Sequence, residues 1–315
     1  MRGLDIFSGL GGSSAGARAA GVEMVGAVDM CPLATESYSA NFQGTHVVTS
    51  SLEDVDISKL RRRTGSVDIL LASPECTNHS CAKGAAPRSE ASRATAMHVV
   101  RYAEAFRPRW LVLENVVHMR PWSRYGTLKR ALEELGYSIA EQVLNASDFG
   151  VPQTRRRLFI VGDRARPPSL VTMRRRGRKK TASSILDPPG RWSTSKLREK
   201  KRAKATLDRA RRGFRELGTD ASFLLVYYGS DGAGGWQPLD RPLRTITTID
   251  RFALVQPGPS GPEIRMLQVP ELQRAMGFDD AFRLPVGTRR DRIRLLGNGV
   301  CPPVMKAVVE ALTED

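Results

Sequence analysis

Short apolar runs rich in β-branched residues alternate with helical stretches over the first half of the chain, and most of them stop abruptly at polar residues. Residues 4–7 lead into a glycine turn, 24–28 end at Asp29, 45–49 form a third run, 67–72 stop at Ser73-Pro74, and 110–113 give way to Glu114-Asn115. Helices are expected at 15–20, 33–41 and 92–106, because adjacent parallel strands need a long crossover between them. The pattern predicts an α/β fold built on a doubly wound, mostly parallel sheet. Such sheets bind ligands along the carboxyl edge of their strands, so Asp29, Cys76 and Glu114 are expected to line one edge.

Cys76, just past the run ILLA and the break at Ser73-Pro74, is the most reactive candidate. A thiol there can be reached by substrate, and its thiolate is a strong nucleophile. A small buried hydrophobe is the other reading of a single cysteine. Cys31, Cys76, Cys81 and Cys301 lack the paired spacing of a zinc site and are too few for a disulfide scaffold, so reduced thiols and no metal are expected. SGLGGSSAG at 8–16, between a strand and an alanine-rich helix, has the layout of a nucleotide-type cofactor turn, and an ordinary tight turn would look the same. Asp29, about twenty residues on, stands where dinucleotide folds place an acid on the ribose hydroxyls. Further strands are expected at 137–144 and 158–162, after a helix at 128–135. Between these two strands Arg155 and Arg157 would share a face of an extended segment, as a grip for a phosphate or carbonyl or as a solvated charge run.

The chain carries 49 Lys and Arg against 33 Asp and Glu, a net charge of +16. Residues 164–215 hold 19 of the basic and 3 of the acidic residues, which accounts for the whole excess. Charge so localised points to a face for a polyanion, or to a solvated basic linker. A basic helix is expected within 198–217, then strands at 223–228, 243–249 and 252–255 in a small β-rich unit. A helix at 270–276 and a terminal helix reaching Leu312 complete the chain. No apolar run of 18 residues and no leader are present, so a cytoplasmic protein is expected, nucleoid-associated through any DNA it binds.

In this order the motifs resemble those of the DNA (cytosine-5)-methyltransferases over nearly the whole chain. DIFSGLGG at 5–12 is similar to the family's cofactor motif, and 92–116 resembles the helix and strand delivering its Glu-Asn-Val. VPQTRRRLFIVG at 151–162 carries its Gln-x-Arg-x-Arg signature in Gln153, Arg155 and Arg157. RPLRTITTIDRFALV at 241–255, PELQRAMGF at 270–278 and LLGNGVCPP at 295–303 resemble its late motifs. The resemblance implies a Rossmann-like, S-adenosyl-L-methionine-dependent methyltransferase with a second, smaller DNA-recognition domain. The implied division is a catalytic and cofactor-binding domain at 1–163, a basic target-recognition domain at 164–290, and a C-terminal segment at 291–315 returning to the first.

It further implies that Cys76 adds to carbon-6 of a flipped-out cytosine. Glu114 would serve the ring nitrogen and amino edge, Asn115 would brace the site, and Arg155 and Arg157 would hold the base carbonyl or phosphate, Arg157 more closely. S-adenosyl-L-methionine would lie across Phe7, Gly9, Leu10, Gly12, Asp29 and Met30, near Ser51, Leu52 and Glu75, with Asn298 and Gly299 covering it. Double-stranded DNA is the implied partner of a monomeric protein, with a cognate restriction endonuclease in a restriction-modification setting.

Two departures stand out. Where the family has proline before the nucleophile and glutamine after it, this chain has Glu75 and Thr77. A carboxylate beside the thiol, uncompensated, would raise its pKa. The family's acid for the adenine amino group has no counterpart, Ser51 being the nearest position with Asp54 and Asp56 close by. A tRNA-cytosine methyltransferase shares the catalytic motifs, and a silent DNA-binding protein on this fold would tolerate Glu75. Trp236, in a glycine-rich loop, would either fill the place of an extruded base or anchor a core.

Overall fold

The computed structural model describes residues 1–75, 90, 94–172, 178–199, 201–228, 232 and 234–314. Cys76, Thr77 and Cys81 lie outside the described residues.

The first half forms a seven-stranded sheet of β1 (Arg2–Ile6), β2 (Glu23–Asp29), β3 (His46–Thr49), β4 (Ile69–Ala72), β5 (Trp110–Asn115), β6 (Ser138–Asn145) and β7 (Arg156–Asp163), in the order β3-β2-β1-β4-β5-β7-β6. The first five strands are mutually parallel, whereas β7 runs antiparallel between β5 and β6. Both faces are covered, so the central strand β4 is apolar throughout: Ile69 and Leu71 join one core, Leu70 and Ala72 the other. The helices are α1 (Gly12–Ala19), α2 (Pro32–Ser39), α3 (Ile57–Thr64), α4 (His98–Phe106) and α5 (Tyr125–Glu134). Asp56 caps α3, its carboxylate accepting from the Lys59 amide at 2.9 Å.

A five-stranded antiparallel sheet follows: β8 (Ser195–Lys196), β9 (Phe223–Val226), β10 (Trp236–Pro238), β11 (Phe252–Gln256) and β12 (Glu263–Met266), ordered β10-β9-β11-β12-β8. Its Phe223, Leu225, Ala253 and Val255 pack with Leu207, Ala210 and Phe214 of the basic helix α6 (Lys204–Leu217). Leu224, Val226, Phe252 and Leu254, on the opposite face, join the core of the large sheet. The small sheet is therefore welded to the large one, with α6 on its far side. Trp236 meets Phe223 edge-on with 6.1 Å between ring centroids and packs into this small core.

Three elements follow, α7 (Val269–Ala275), α8 (Arg289–Asn298) and α9 (Pro302–Thr313), the last lying against α1. The strand expected at 243–249 does not form. Only an isolated bridge joins Leu243 to Gln153, and the buried positions are Leu243 and Ile246, a spacing of three that no strand face produces. This strip is tied instead by side chains: Ile246 donates its amide to Gln153 Oε1 at 2.8 Å, and the Tyr228 hydroxyl donates to the Thr245 carbonyl at 2.6 Å.

Candidate active site

The carboxyl edge of the large sheet gathers the polar strand ends. After β1 the chain turns through Phe7 (φ 56°), Gly9 (φ 53°) and Gly11 (φ 98°) into α1. Gly9 donates its amide to Asp29 Oδ2 at 2.8 Å and Cys31 donates to Oδ1 at 2.8 Å, so the carboxylate fixes the turn. Each Asp29 oxygen keeps a second lone pair, and burial raises its pKa. A Cβ at Gly12 would stand 2.2 Å from the Val300 carbonyl, whereas one at Gly9 would meet nothing within 4 Å. Glycine at 12 thus lets the C-terminal segment close over α1, while Gly9 borders open space.

Those features fit a nucleoside-bearing cofactor: backbone bordering open space, an acid with accepting capacity beside it, and the exposed side chain of Met30 next to the acid. Leu10 is buried in the core, so only its main chain is available, and Phe7 is half-buried. Ser51 donates to Asp54 Oδ2 at 2.6 Å, which puts a carboxylate at the end of β3. The buried Leu52 has its carbonyl taken by Arg101 and Tyr102. Asn298 is exposed and Gly299 half-buried where α8 gives way to the chain over α1.

At the end of β5, Glu114 is buried and its Oε1 lies 3.1 Å from Arg157 Nε. The antiparallel insertion of β7 causes this meeting, because it places the start of that strand beside the end of β5, with Asn115 opposite Leu158. Burial raises the Glu114 pKa although Arg157 and Arg155 oppose the shift. Asn115 donates Nδ2 to the Pro74 carbonyl at 3.2 Å and accepts from the Val116 amide at 2.8 Å, which anchors the chain two residues before Cys76. Glu75 is exposed.

Arg155 is placed differently from its neighbour. It is buried, and its guanidinium donates to the carbonyls of Ile246 (3.0 Å), Gly297 (2.8 Å) and Gly299 (2.9 Å). A guanidinium so engaged ties strip 243–249 and the C-terminal segment to the start of β7, while it borders the same recess as Glu114 and Arg157. Sequence spacing put the two on one face, but could not show which would find main-chain carbonyls. Gln153 acts similarly, donating to the Ala275 carbonyl at 3.0 Å.

Two groups that the motifs did not single out lie at this edge. Cys301 lines a small recess with Glu114, Arg157, Phe159 and Val300, and burial pushes its thiol pKa up to about 11, so it stays protonated. Asp5, wholly buried in β1, accepts from Ser14 Oγ at 2.6 Å, and Ser14 accepts from the Tyr38 hydroxyl at 2.7 Å. Burial raises the Asp5 pKa to about 7 from an ordinary 3.8. The folded chain holds this proton more tightly than the unfolded one, so the associated stability is complete below about pH 4 and lost as pH rises through about 7. Asp5→Asn is expected to raise the unfolding free energy at pH 8, read from urea denaturation, by at most about 4 kcal/mol, with the gain shrinking toward pH 5.

Among the described residues no cluster of three His, Cys, Asp or Glu is placed to hold a metal ion, and no helix is long and apolar enough to cross a membrane. The sequence profile of the family described as C-5 cytosine-specific DNA methylase matches residues 1–314. The protein named Type II methyltransferase M.XorII, from Xanthomonas oryzae pv. oryzae, is 28% identical over 97% of this chain and 83% of its own length. Type II methyltransferase M.NlaX of Neisseria lactamica is 27% identical over 98% and 95%. The fold is shared with a structure described as a DNA modification methyltransferase encoded within an E. coli prophage (TM-score 0.72, 19% identity, 99% and 98% covered). It is also shared with the Entamoeba histolytica methyltransferase EhMeth (TM-score 0.70, 16% identity, 99% and 97% covered). The match over the full motif order, on a sheet whose carboxyl edge holds Asp29, Glu114 and Arg157, makes the chain a member of the C-5 cytosine-specific DNA methylase family, and its activity that of a DNA (cytosine-5)-methyltransferase.

Proposed function

We propose that this enzyme methylates carbon-5 of a cytosine extruded from duplex DNA, through a covalent adduct with Cys76. Carbon-5 is too weakly nucleophilic to accept a methyl group unaided. Addition of the Cys76 thiolate to carbon-6 turns the ring into an enamine whose electron pair sits on carbon-5. S-adenosyl-L-methionine, when bound, supplies an electrophilic methyl on its sulfonium. After transfer, loss of the carbon-5 proton and expulsion of the thiolate restore the aromatic ring.

The observation that carries this reading is the buried Glu114–Arg157 pair, with Asn115 anchoring Pro74 beside it. Glu114, its pKa raised by burial, is suited to give a proton to the ring nitrogen as negative charge develops, and Arg157 to hold the base carbonyl. Phe7, Gly9, Leu10, Gly12, Asp29, Met30, Ser51, Leu52, Glu75, Asn298 and Gly299 are the residues we assign to the cofactor, with Asp29 on the ribose and Met30 against the adenine. A cytosine within a duplex cannot reach the thiol, so the reading requires extrusion.

Residues 1–163 would then be the catalytic and cofactor domain, 164–290 the target-recognition domain and 291–315 the returning segment. The excess charge of 164–215 is suited to phosphate contacts. The relatives' name, Type II methyltransferase, supports a cognate restriction endonuclease as a partner.

The test uses duplex DNA carrying 5-fluorocytosine at the site mapped by bisulfite sequencing of DNA from expressing cells. With S-adenosyl-L-methionine present, a denaturant-resistant adduct is expected, mapped by peptide mass to residue 76. Its absence, or attachment elsewhere, overturns the covalent assignment. Labelled methyl transfer to tRNA but not to duplex would move the substrate to RNA.

A further inference from the structure

We propose that Ile249 is a positioning residue that wedges into the base stack next to the target cytosine and holds the duplex open. This rests on the extrusion reading above. Among the described residues the exposed large apolar side chains are Met1, Met30, Leu170, Leu217 and Ile249. Met1 precedes β1 at the amino end of the sheet, Leu217 ends α6 on the far side of the small sheet, and Leu170 lies in the segment after β7. Met30 follows Asp29 and belongs to the cofactor side. Ile249, 55% exposed, is left with no such account.

The strip that carries it borders the active edge. Arg155, two residues before Arg157, donates to the Ile246 carbonyl, and the Thr245 hydroxyl donates to the Thr154 carbonyl at 2.7 Å. The Thr247 carbonyl lies so near Gly297 that a Cβ there would stand 2.3 Å away. Beyond these ties the chain is locked in a local turn, in which Thr247 Oγ1 donates to the Ile249 carbonyl at 3.2 Å, and Asp250 pairs with Arg289 of α8. The result is a fixed backbone presenting a stiff, β-branched apolar side chain to solvent, with Arg244 on the same strip and Arg251 two residues beyond it. Proteins that open a duplex insert apolar side chains, isoleucine among them, between base steps, and a rigid mount does this without first having to be ordered. Trp236, the other aromatic or large apolar candidate, is held in the small core.

The experiment compares wild type, Ile249→Ala and Ile249→Leu on two duplexes bearing the mapped site, one fully paired and one with the target cytosine mispaired. A wedge helps most where a base pair must be broken. Ile249→Ala is therefore expected to lose about tenfold in kcat/KM on the paired duplex, the effect of withdrawing roughly half a side chain's burial. On the mispaired duplex most of that loss should vanish, and Ile249→Leu should stay near wild type on both. An equal loss on both duplexes, or none on either, overturns the proposal. Wild type that gains nothing in affinity or rate from the mispair overturns extrusion itself and the wedge with it, an outcome distinct from a failure of Ile249 alone.

Discussion

Glu114→Gln is expected to lower kcat/KM on duplex DNA by about 10²–10⁴-fold, the usual worth of a positioned general acid, while cofactor affinity stays unchanged. Glutamine keeps the shape of the side chain and a carbonyl oxygen for Arg157 Nε, now 3.1 Å from the carboxylate, so the arginine keeps its partner and the fold should survive. What is lost is the transferable proton. Because burial holds the Glu114 pKa above the ordinary carboxylate range, its acid form persists to higher pH than a surface glutamate's. The wild-type rate should therefore carry a limb that falls as pH rises through that raised pKa, and the Gln variant should lack it. Single-turnover methylation across pH, with cofactor affinity measured in parallel, separates this from a general loss of binding. A variant as fast as wild type would remove Glu114 from the chemistry.

The interior strands β2, β4, β5 and β7 of the large sheet were legible because each is a short apolar run bounded by polar residues, a pattern that follows from burial on both faces. Their neighbours were not. Nothing in residues 156–163 says that the strand lies antiparallel between β5 and β6, yet that insertion is what brings Arg157 to Glu114. The strip at 243–249 reads as a strand because Thr245, Ile246, Thr247, Thr248 and Ile249 are all β-branched. It is held in place otherwise, by ties to Gln153, Thr154 and Arg155 from a segment some ninety residues earlier.

Helix α8 escaped notice because RRDRIRLLGN is dominated by charge and shows only a narrow apolar stripe. Its start was nonetheless marked: Thr288 and Asp291 cap each other reciprocally, at a spacing of three that is visible in sequence. Within the site, residue types were readable but their tasks were not. Arg155 and Arg157 are equivalent in spacing and differ only in what surrounds them, three main-chain carbonyls for one and a buried carboxylate for the other. Cys301 and Asp5 owe their character chiefly to burial, which periodicity indicates only in outline.

Glu271→Ala is expected to cost about 3–5 kcal/mol of stability, read as a fall in the midpoint of denaturant unfolding. Glu271 is fully buried and makes a two-pronged pair with Arg265 on β12, Nη1 to Oε2 and Nη2 to Oε1, both at 2.7 Å. The same carboxylate accepts the amides of Asp187 at 2.9 Å and Gln268 at 2.7 Å. Alanine would strand a buried guanidinium and two main-chain donors together, which is why the loss should exceed that of an ordinary surface pair. Replacing both partners with apolar residues, Arg265→Met with Glu271→Leu, removes the stranded charge and should recover much of the loss, as far as the two orphaned amides allow. Function should separate the two variants further. The pair joins β12 to α7, and α7 receives Gln153 through the Ala275 carbonyl, so it links the small sheet to the segment leading into Arg155 and Arg157. If that linkage sets the geometry of the strip bearing Ile249, the double variant will regain stability before it regains its rate on paired DNA, and a mispaired target will narrow the difference.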